Sequence, residues 1–180
     1  MIKKISTKSI HKNPYFEYLQ DEFETEDGKK MDYYYCLTRG GVIAIPVLND
    51  NRLVLVRQYR YVADKYGIEF PCGGIDEGES PSQTIGRELL EETGYKSTDF
   101  VKVGEFESAP GRFKDSCSVY VATDLKKIQE PVAETTGSFE VFLRRIDEFQ
   151  EMIKRGEIWD GYTLSAWAIA RDYVKNLNQV

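Results

Sequence analysis

A chain of 180 residues has the length of one compact domain. Hydrophobic residues make up 41% of it and charged residues 30%, which is enough apolar material for a core and excludes a disordered or collagen-like chain. Lys and Arg number 24 against 30 Asp and Glu, and the resulting net charge of -6 repels a phosphate backbone, so a protein that coats DNA or RNA is not expected.

The sequence contains no stretch of about twenty apolar residues that would span a bilayer, and its first four residues lead into polar sequence and not into a signal-peptide core. We therefore expect a cytoplasmic protein with no membrane partner. The cysteines, Cys36, Cys72 and Cys117, are odd in number and widely spaced, and His11 is the single histidine. Neither a disulfide framework nor a structural zinc site is expected.

The first elements predicted along the chain are strands. Residues 5–37 alternate in polarity and are rich in aromatics, and Asp27-Gly28 is a pair that favours a hairpin turn, so we predict an antiparallel hairpin or meander. Two further strands of a mostly buried sheet are predicted at 42–48 and 53–59.

The clearest helix begins at Ser80, where the segment 80–83 combines a capping box with proline at the first helical position, and it ends at Gly94, a natural C-cap. Further strands are predicted near 101–107, 118–123 and 139–143, followed by helices at 146–155 and 162–175. This order of elements indicates an α/β sandwich with a mixed β-sheet.

Three glutamates share one edge of the predicted helix. At about 100° per residue, Glu88, Glu91 and Glu92 fall within an arc of roughly 100° beside the apolar face. Like charges at this spacing destabilise an isolated helix by about 0.2–0.5 kcal/mol per pair, and these also lie toward the negative end of the helix dipole. A solvated helix face is the usual role of such a pair standing alone, whereas a site for hard divalent cations gives the arrangement a purpose.

The glutamates also stand in a longer pattern, which runs from Gly73 through five residues to Glu79, then through seven residues to the segment Arg87-Glu88-Leu89-Leu90-Glu91-Glu92-Thr93-Gly94-Tyr95. It resembles the box of the Nudix hydrolase family: a Gly, five residues, a Glu, seven residues, then Arg-Glu-hydrophobic-x-Glu-Glu-x-Gly-hydrophobic. Every polar and glycine position is matched, and Tyr95 stands where the family more often has an aliphatic residue. The resemblance implies the Nudix α/β/α sandwich with a mixed β-sheet, preceded here by an N-terminal antiparallel β-hairpin.

Carried over position by position, the resemblance implies that Glu88 and Glu92 are the main magnesium ligands, that Glu91 assists, and that the backbone carbonyl of Cys72 completes a metal shell. Two or three Mg²⁺ ions are expected, with Mn²⁺ able to substitute. A nucleophilic role for the Cys72 thiol is not expected, because no recognisable motif supplies a histidine partner.

Four box residues are assigned structural roles. These are Gly73, Gly94 and the oppositely charged Glu79 and Arg87, which would pair and hold the loop 73–80 against the helix.

Segments outside the box resemble ADP-ribose and nucleoside-diphosphate-sugar pyrophosphatases. The run Glu69-Phe70-Pro71-Cys72-Gly73 looks like their Glu-Leu-Pro-Ala-Gly lead-in, and Pro110 lies sixteen residues past Gly94, where that subfamily carries its marker proline. The runs 57–60 and 156–160 resemble the subfamily too, so the similarity covers nearly the whole chain.

These matches imply candidate substrate contacts. Arg60 is expected to bind a phosphate and Glu69 a ribose or base, with a salt bridge at a strand end as the alternative for both. Tyr15 or its neighbour Phe16 would stack on the base, with core or dimer packing as the alternative, and Pro110 completes the substrate-binding set.

Members of this subfamily are commonly homodimers whose N-terminal strands cross to the partner. Residues 1–40 are accordingly assigned to an N-terminal extension for dimerisation and base binding, and residues 41–180 to a Nudix domain with its box at 73–95.

The hydrolytic step needs a base to orient and deprotonate water, and the resemblance implies that an acidic residue after the box supplies it. Glu140 is favoured as base or metal ligand, Glu134 is the second candidate, and Glu91 is a further catalytic candidate. Ordinary surface glutamates are the alternative for Glu140 and Glu134.

The predicted function is magnesium-dependent hydrolysis of the pyrophosphate of a nucleotide sugar, with ADP-ribose, giving AMP and ribose 5-phosphate, as the first candidate. GDP-mannose or another nucleotide sugar is the alternative, since only base and sugar contacts differ. A non-hydrolysing nucleotide-sugar sensor is disfavoured by the intact acidic edge, and removal of pyrophosphate from RNA ends is disfavoured by the negative charge.

Overall fold

The computed structural model describes residues 2–132 and 140–177. The helices of these ranges are α1 (Pro81–Thr93), α2 (Ile146–Lys154) and α3 (Gly161–Leu177). The strands are β1 (Lys3–Lys12), β2 (Glu17–Glu24), β3 (Lys30–Leu37), β4 (Gly41–Pro46), β5 (Arg52–Arg60), β6 (Lys65–Glu69), β7 (Cys72–Gly74), β8 (Tyr95–Lys96), β9 (Asp99–Phe106), β10 (Phe113–Lys114), β11 (Cys117–Thr123), β12 (Lys126–Lys127) and β13 (Glu140–Arg145).

The chain divides into two compact units, of which the first comprises Met1–Gly40 and Glu107–Ser116. In this unit β1, β2 and β3 form an antiparallel meander, and β10 pairs in parallel with β3. The turn between β2 and β3 contains Gly28, whose φ is +79° and whose N–H donates to the Thr25 carbonyl. The antiparallel hairpin predicted around Asp27-Gly28 is confirmed.

The second unit comprises Gly41–Phe106 and Cys117–Val180 and contains a mixed sheet in the order β7-β4-β11-β9. Strands β4 and β11 are parallel, whereas β7 and β9 pair antiparallel with their neighbours. Strands β13, β5 and β6 form an antiparallel sheet, and β8 pairs with β12.

Helices cover both faces of the mixed sheet. Because side chains alternate along a strand, Val42 and Ala44 of β4 point to one face, where they pack with Ile85 of α1. Ile43 and Val119 point to the other face and belong to the larger core, to which α2 and α3 contribute. The structure is therefore the predicted α/β/α sandwich.

The larger core anchors the segment that leads into the Nudix-like box. The ring of Phe70 lies 5.0 Å from that of Phe149, which lies 5.1 Å from Trp167 of α3. The Phe70 N–H donates to the Thr163 hydroxyl at 3.2 Å. Since Phe70 stands two residues before Cys72, these contacts hold the chain just before β7 in the larger core. None of the helices in the described residues has the length and apolar character needed to cross a membrane.

Candidate active site

Helix α1 begins and ends as its sequence predicts. The Ser80 hydroxyl accepts the Gln83 N–H, the Gln83 side chain accepts the Ser80 N–H, and Pro81 occupies the first helical position. At the other end Gly94 adopts φ +72°, and its N–H donates to the Leu90 carbonyl. These caps set the two ends of the helix, and helix geometry places its glutamates along one edge.

The acidic edge of α1 is turned into the protein. Glu88 is 7% exposed and Glu92 is 3% exposed, while the side chain of Glu91 is about half exposed. Burial of a carboxylate costs free energy unless polar groups surround it. A solvated helix face is therefore excluded for Glu88 and Glu92.

The Glu88 carboxylate lies directly over the backbone of Gly73. A Cβ atom placed on Gly73 would stand 2.0 Å from Oε1 of Glu88 and 2.1 Å from its Cδ, closer than real Cβ atoms come. A side chain at position 73 would therefore displace the Glu88 carboxylate from the place that it occupies.

Glu92 is held against β7. Its Oε2 accepts the backbone N–H of Cys72 at 3.0 Å, which keeps the Cys72 backbone beside the acidic edge of α1. Desolvation, with a further contribution from Glu92, raises the pKa of the Cys72 thiol well above its ordinary value. A thiol that stays protonated near neutral pH is a poor nucleophile, in keeping with the sequence analysis.

Arg87 lies among four carboxylates. Its Nε and Nη2 donate to the two oxygens of Glu79 at 3.1 and 3.0 Å, so the predicted pairing with Glu79 is present. Its Nη1 donates to Glu88 at 2.9 Å and to Glu91 at 3.2 Å, and Nη2 lies 3.5 Å from Asp76. The guanidinium thereby offsets the repulsion that the like charges exert on one another.

The Glu79 carboxylate connects the loop before α1 to the helix. Besides the two hydrogen bonds from Arg87, Glu79 accepts a third side-chain hydrogen bond, at 2.9 Å, from the Thr84 hydroxyl. Donation from Arg87 and then from Thr84 lowers the pKa of Glu79 below its ordinary value. Sequence reasoning did not find Thr84, for which no motif signal exists.

The carboxylates are of the donor type that magnesium prefers, but their side chains do not converge on one point. Within residues 2–132 and 140–177, no three His, Cys, Asp or Glu side chains stand close enough together to hold a metal ion. Glu88 and Glu91 point to Arg87, and Glu92 points to the Cys72 N–H. The carboxylate oxygens of these glutamates are suitable ligands for a hard divalent cation. In this structure, however, they are not arranged around one common point.

Arg60 and Glu69 form a partly buried ion pair beside Cys72. The Nε of Arg60 donates to both Glu69 oxygens at 3.0 and 3.1 Å, its Nη2 donates to Glu69 as well, and Nη2 lies 3.8 Å from the Cys72 sulfur. The Glu69 side chain has no exposed surface, whereas that of Arg60 is 40% exposed. A fully enclosed carboxylate offers no oxygen to a ribose, so the structure does not support Glu69 as a direct substrate contact.

Glu140 lies at the start of β13, where its Oε2 accepts from Arg57 Nη1 at 3.2 Å. The Arg57 guanidinium in turn lies 4.2 Å from the centre of the Tyr66 ring. The contact that the structure shows for Glu140 is thus with Arg57. The second base candidate, Glu134, lies outside the described residues.

Tyr15 and Pro110 both belong to the first unit. The Tyr15 side chain is mostly exposed, and its N–H donates to the Asn13 side chain at 2.9 Å. Pro110 lies in the segment after β9, where the neighbouring Gly111 carbonyl accepts the Tyr33 hydroxyl at 2.8 Å. Their roles in substrate binding stay predictions.

Gly67 of β6 was not singled out by the sequence analysis. A Cβ on Gly67 would stand 2.2 Å from Oε1 of Glu69, so the glycine leaves the space that this carboxylate occupies. A glycine inside a strand signals such a close approach, but the sequence did not show that residues 65–69 form a strand.

An α/β/α sandwich with a mixed sheet, and a helix that carries this spacing of glycine, arginine and glutamates, defines the Nudix class of proteins. Residues 37–166 match the family described as the NUDIX domain, and the chain belongs to the Nudix hydrolase family. The family and fold predicted from the box are confirmed.

Two curated relatives match almost the full chain. The chain is 30% identical over 165 residues to the methanol dehydrogenase activator of Bacillus methanolicus and 26% identical over 165 residues to the ADP-ribose pyrophosphatase of Bacillus subtilis strain 168. Each alignment covers 91% of this chain and 89% of the relative. A crystal structure of an ADP compounds hydrolase superposes with a TM-score of 0.86 at 22% identity, covering 99% of this chain and 97% of that chain, and shows the same fold.

Proposed function

We propose that this chain is a magnesium-dependent hydrolase that cleaves the pyrophosphate bond of a nucleotide sugar, and that its substrate is ADP-ribose, which yields AMP and ribose 5-phosphate. The observation that carries the proposal is the buried acidic edge of α1, where Glu88 lies over Gly73 and Glu92 is bonded to the Cys72 backbone. Similarity to an ADP-ribose pyrophosphatase along 91% of the chain supports the substrate class.

Glu88 and Glu92 would hold the metal, assisted by Glu91 and the backbone carbonyl of Cys72. Bound magnesium neutralises diphosphate charge and lowers the pKa of a coordinated water. Two or three ions are proposed, because several carboxylates share the edge and a diphosphate presents several oxygens.

A positive side chain of the second unit is proposed to bind the substrate phosphate. Arg60, next to Cys72, supplies a guanidinium that matches the geometry of phosphate oxygens.

The general base is proposed to be Glu140, with Glu134 as the second candidate. Replacing each by glutamine separates them, because loss of the base lowers kcat strongly and loss of a surface carboxylate does not.

A homodimer in the cytoplasm is part of the proposal, with Met1–Gly40 as the dimerising segment. Tyr15 is proposed to contact the base, and Pro110 is proposed to contact the substrate. Light scattering at micromolar concentration gives the mass directly. A mass of one chain would contradict the dimer without affecting the chemistry proposed for α1.

The activity is tested by phosphate release, through a coupled phosphatase, from ADP-ribose, GDP-mannose, UDP-glucose, diadenosine polyphosphates and nucleoside triphosphates, each with and without magnesium. Metal-dependent turnover that is fastest on ADP-ribose is the expected result. Faster turnover of GDP-mannose would replace the substrate and keep the chemistry. Tight binding of one nucleotide sugar without any turnover would overturn the hydrolase proposal in favour of a sensor.

A further inference from the structure

The pairing of β5 with β6 sets the geometry between Arg60 and Glu69. Arg60 stands opposite Lys65, and Glu69 stands opposite Val56, with Gly67 between Lys65 and Glu69 on the same face. These two rungs are four residues apart, which is about 13 Å along a strand. Two long side chains can meet across this distance only by leaning toward each other over the position of Gly67.

Gly67 leaves the path between them open. Its missing side chain gives room to the Glu69 carboxylate, since an added Cβ would stand 2.2 Å from Oε1 and 3.1 Å from Cδ. Gln58, directly opposite Gly67, places its Nε2 at 3.5 Å from the other oxygen of Glu69. The Glu69 side chain is thus fully enclosed, and Arg60 is the charged group that donates hydrogen bonds to it.

The ion pair uses only part of the Arg60 guanidinium. Nε and Nη2 donate to Glu69, while Nη1 donates to no residue in the described part of the chain, and the side chain is 40% exposed. Nη2 also lies 3.8 Å from the sulfur of Cys72, the residue whose N–H is bonded to Glu92. Arg60 therefore has a nitrogen available for another acceptor, and Cys72 is the residue that lies between its guanidinium and Glu92 of α1.

We propose that Glu69 is a positioning residue, which fixes Arg60 so that the Nη1 side of its guanidinium binds an oxygen of the substrate diphosphate. This inference rests on the proposed function. An arginine that is already fixed gives up little rotamer freedom when substrate arrives, whereas a mobile one must be ordered by the substrate. Because the contact is made before and during the reaction, its loss raises KM and leaves kcat nearly unchanged.

The test is steady-state hydrolysis of ADP-ribose by the full chain with magnesium, using Glu69→Gln, Arg60→Gln and the double variant. We expect about a tenfold rise in KM for Glu69→Gln, at least as large a rise for Arg60→Gln, and kcat within about twofold of the parent. If Glu69 acts through Arg60, the double variant matches Arg60→Gln alone.

A second route displaces the Glu69 carboxylate without altering any charge. Gly67→Ala inserts a methyl group where Oε1 lies, and we expect it to raise KM as Glu69→Gln does. Gly86→Ala is the matched control, because an added Cβ there meets nothing within 4 Å and KM should not change. Melting temperatures accompany every variant, and Gly67→Ala carries the test where Glu69→Gln does not fold.

The results separate the inference from the proposed function on which it rests. Absence of metal-dependent turnover of every nucleotide sugar by the parent chain overturns both. Normal turnover in the parent, combined with additive effects in the double variant, overturns the positioning role alone. So does a folded Gly67→Ala chain with the parent KM, or a Glu69→Gln chain that loses kcat and keeps its KM.

Discussion

Replacing Gly73 with alanine tests the place of Glu88 in the site. The new Cβ would stand 2.0 Å from Oε1 of Glu88, and ordinary contact begins at 3.4 Å, so the oxygen must retreat by about 1.4 Å. Metal–ligand distances tolerate only about 0.2 Å, and a misplacement near 1 Å can cost a hundredfold in rate. We expect Gly73→Ala to lower kcat/KM for ADP-ribose at least a hundredfold, which is about 2.7 kcal/mol of transition-state stabilisation.

The assay is ADP-ribose hydrolysis across a magnesium titration, together with the melting temperature of each variant. Gly74→Ala is the matched control, because its added Cβ meets nothing within 4 Å. We expect a higher magnesium requirement in Gly73→Ala and the parent requirement in Gly74→Ala. A folded Gly73→Ala chain with parental activity and metal dependence would refute the assignment of Glu88 to the metal site.

Three further predictions concern α1 and the loop before it. Glu92→Gln should lower the rate of magnesium-dependent hydrolysis at least a hundredfold. Glu105→Gln, the same change in an exposed ion pair with Lys102, is the control and should keep the parent rate. A Glu92→Gln rate equal to that of the parent would show that Glu92 is not a metal ligand. The pKa of Glu79 is lowered in the folded chain, so its contribution to stability is complete above its ordinary value of 4.5 and is lost as the pH falls through the lowered value. The melting-temperature difference between the parent and Glu79→Gln should therefore be constant from about pH 6 to 7 and shrink below pH 4.5, and a difference that grows in acid would contradict this sign. Ser80→Ala removes the capping box and should cost about 1 kcal/mol in denaturant unfolding; an unchanged midpoint would show that the cap contributes nothing.

Local signals in the sequence were sufficient to place α1 and its acidic edge. The caps at Ser80 and Gly94 are formed within the helix and its flanks, and the angular spacing of Glu88 and Glu92 follows from helix geometry alone. Their burial did not follow from spacing. It depends on Gly73, which is brought to α1 by the pairing of β7 with β4.

Features that depend on strand pairing were beyond the reach of the sequence. The segment Lys65–Glu69 has charged ends and a central glycine, so its pattern does not indicate a strand, and it becomes one by pairing with β5. The Arg60–Glu69 ion pair is a consequence of that register. Contacts of Arg87 with Glu88 and Glu91 were missed because the box suggested only a partnership with Glu79.

The first unit is assembled from two separate stretches of chain. β9 ends at Phe106 and β11 begins at Cys117, and between these antiparallel neighbours the chain contributes Glu107–Ser116, including β10, to the sheet that contains β3. The N-terminal stretch therefore cannot be exchanged between relatives as a self-contained cassette. A chimera that swaps Met1–Gly40 alone would pair a foreign β3 with the native β10, so the two stretches have to be transplanted together, and Pro110 travels with the second.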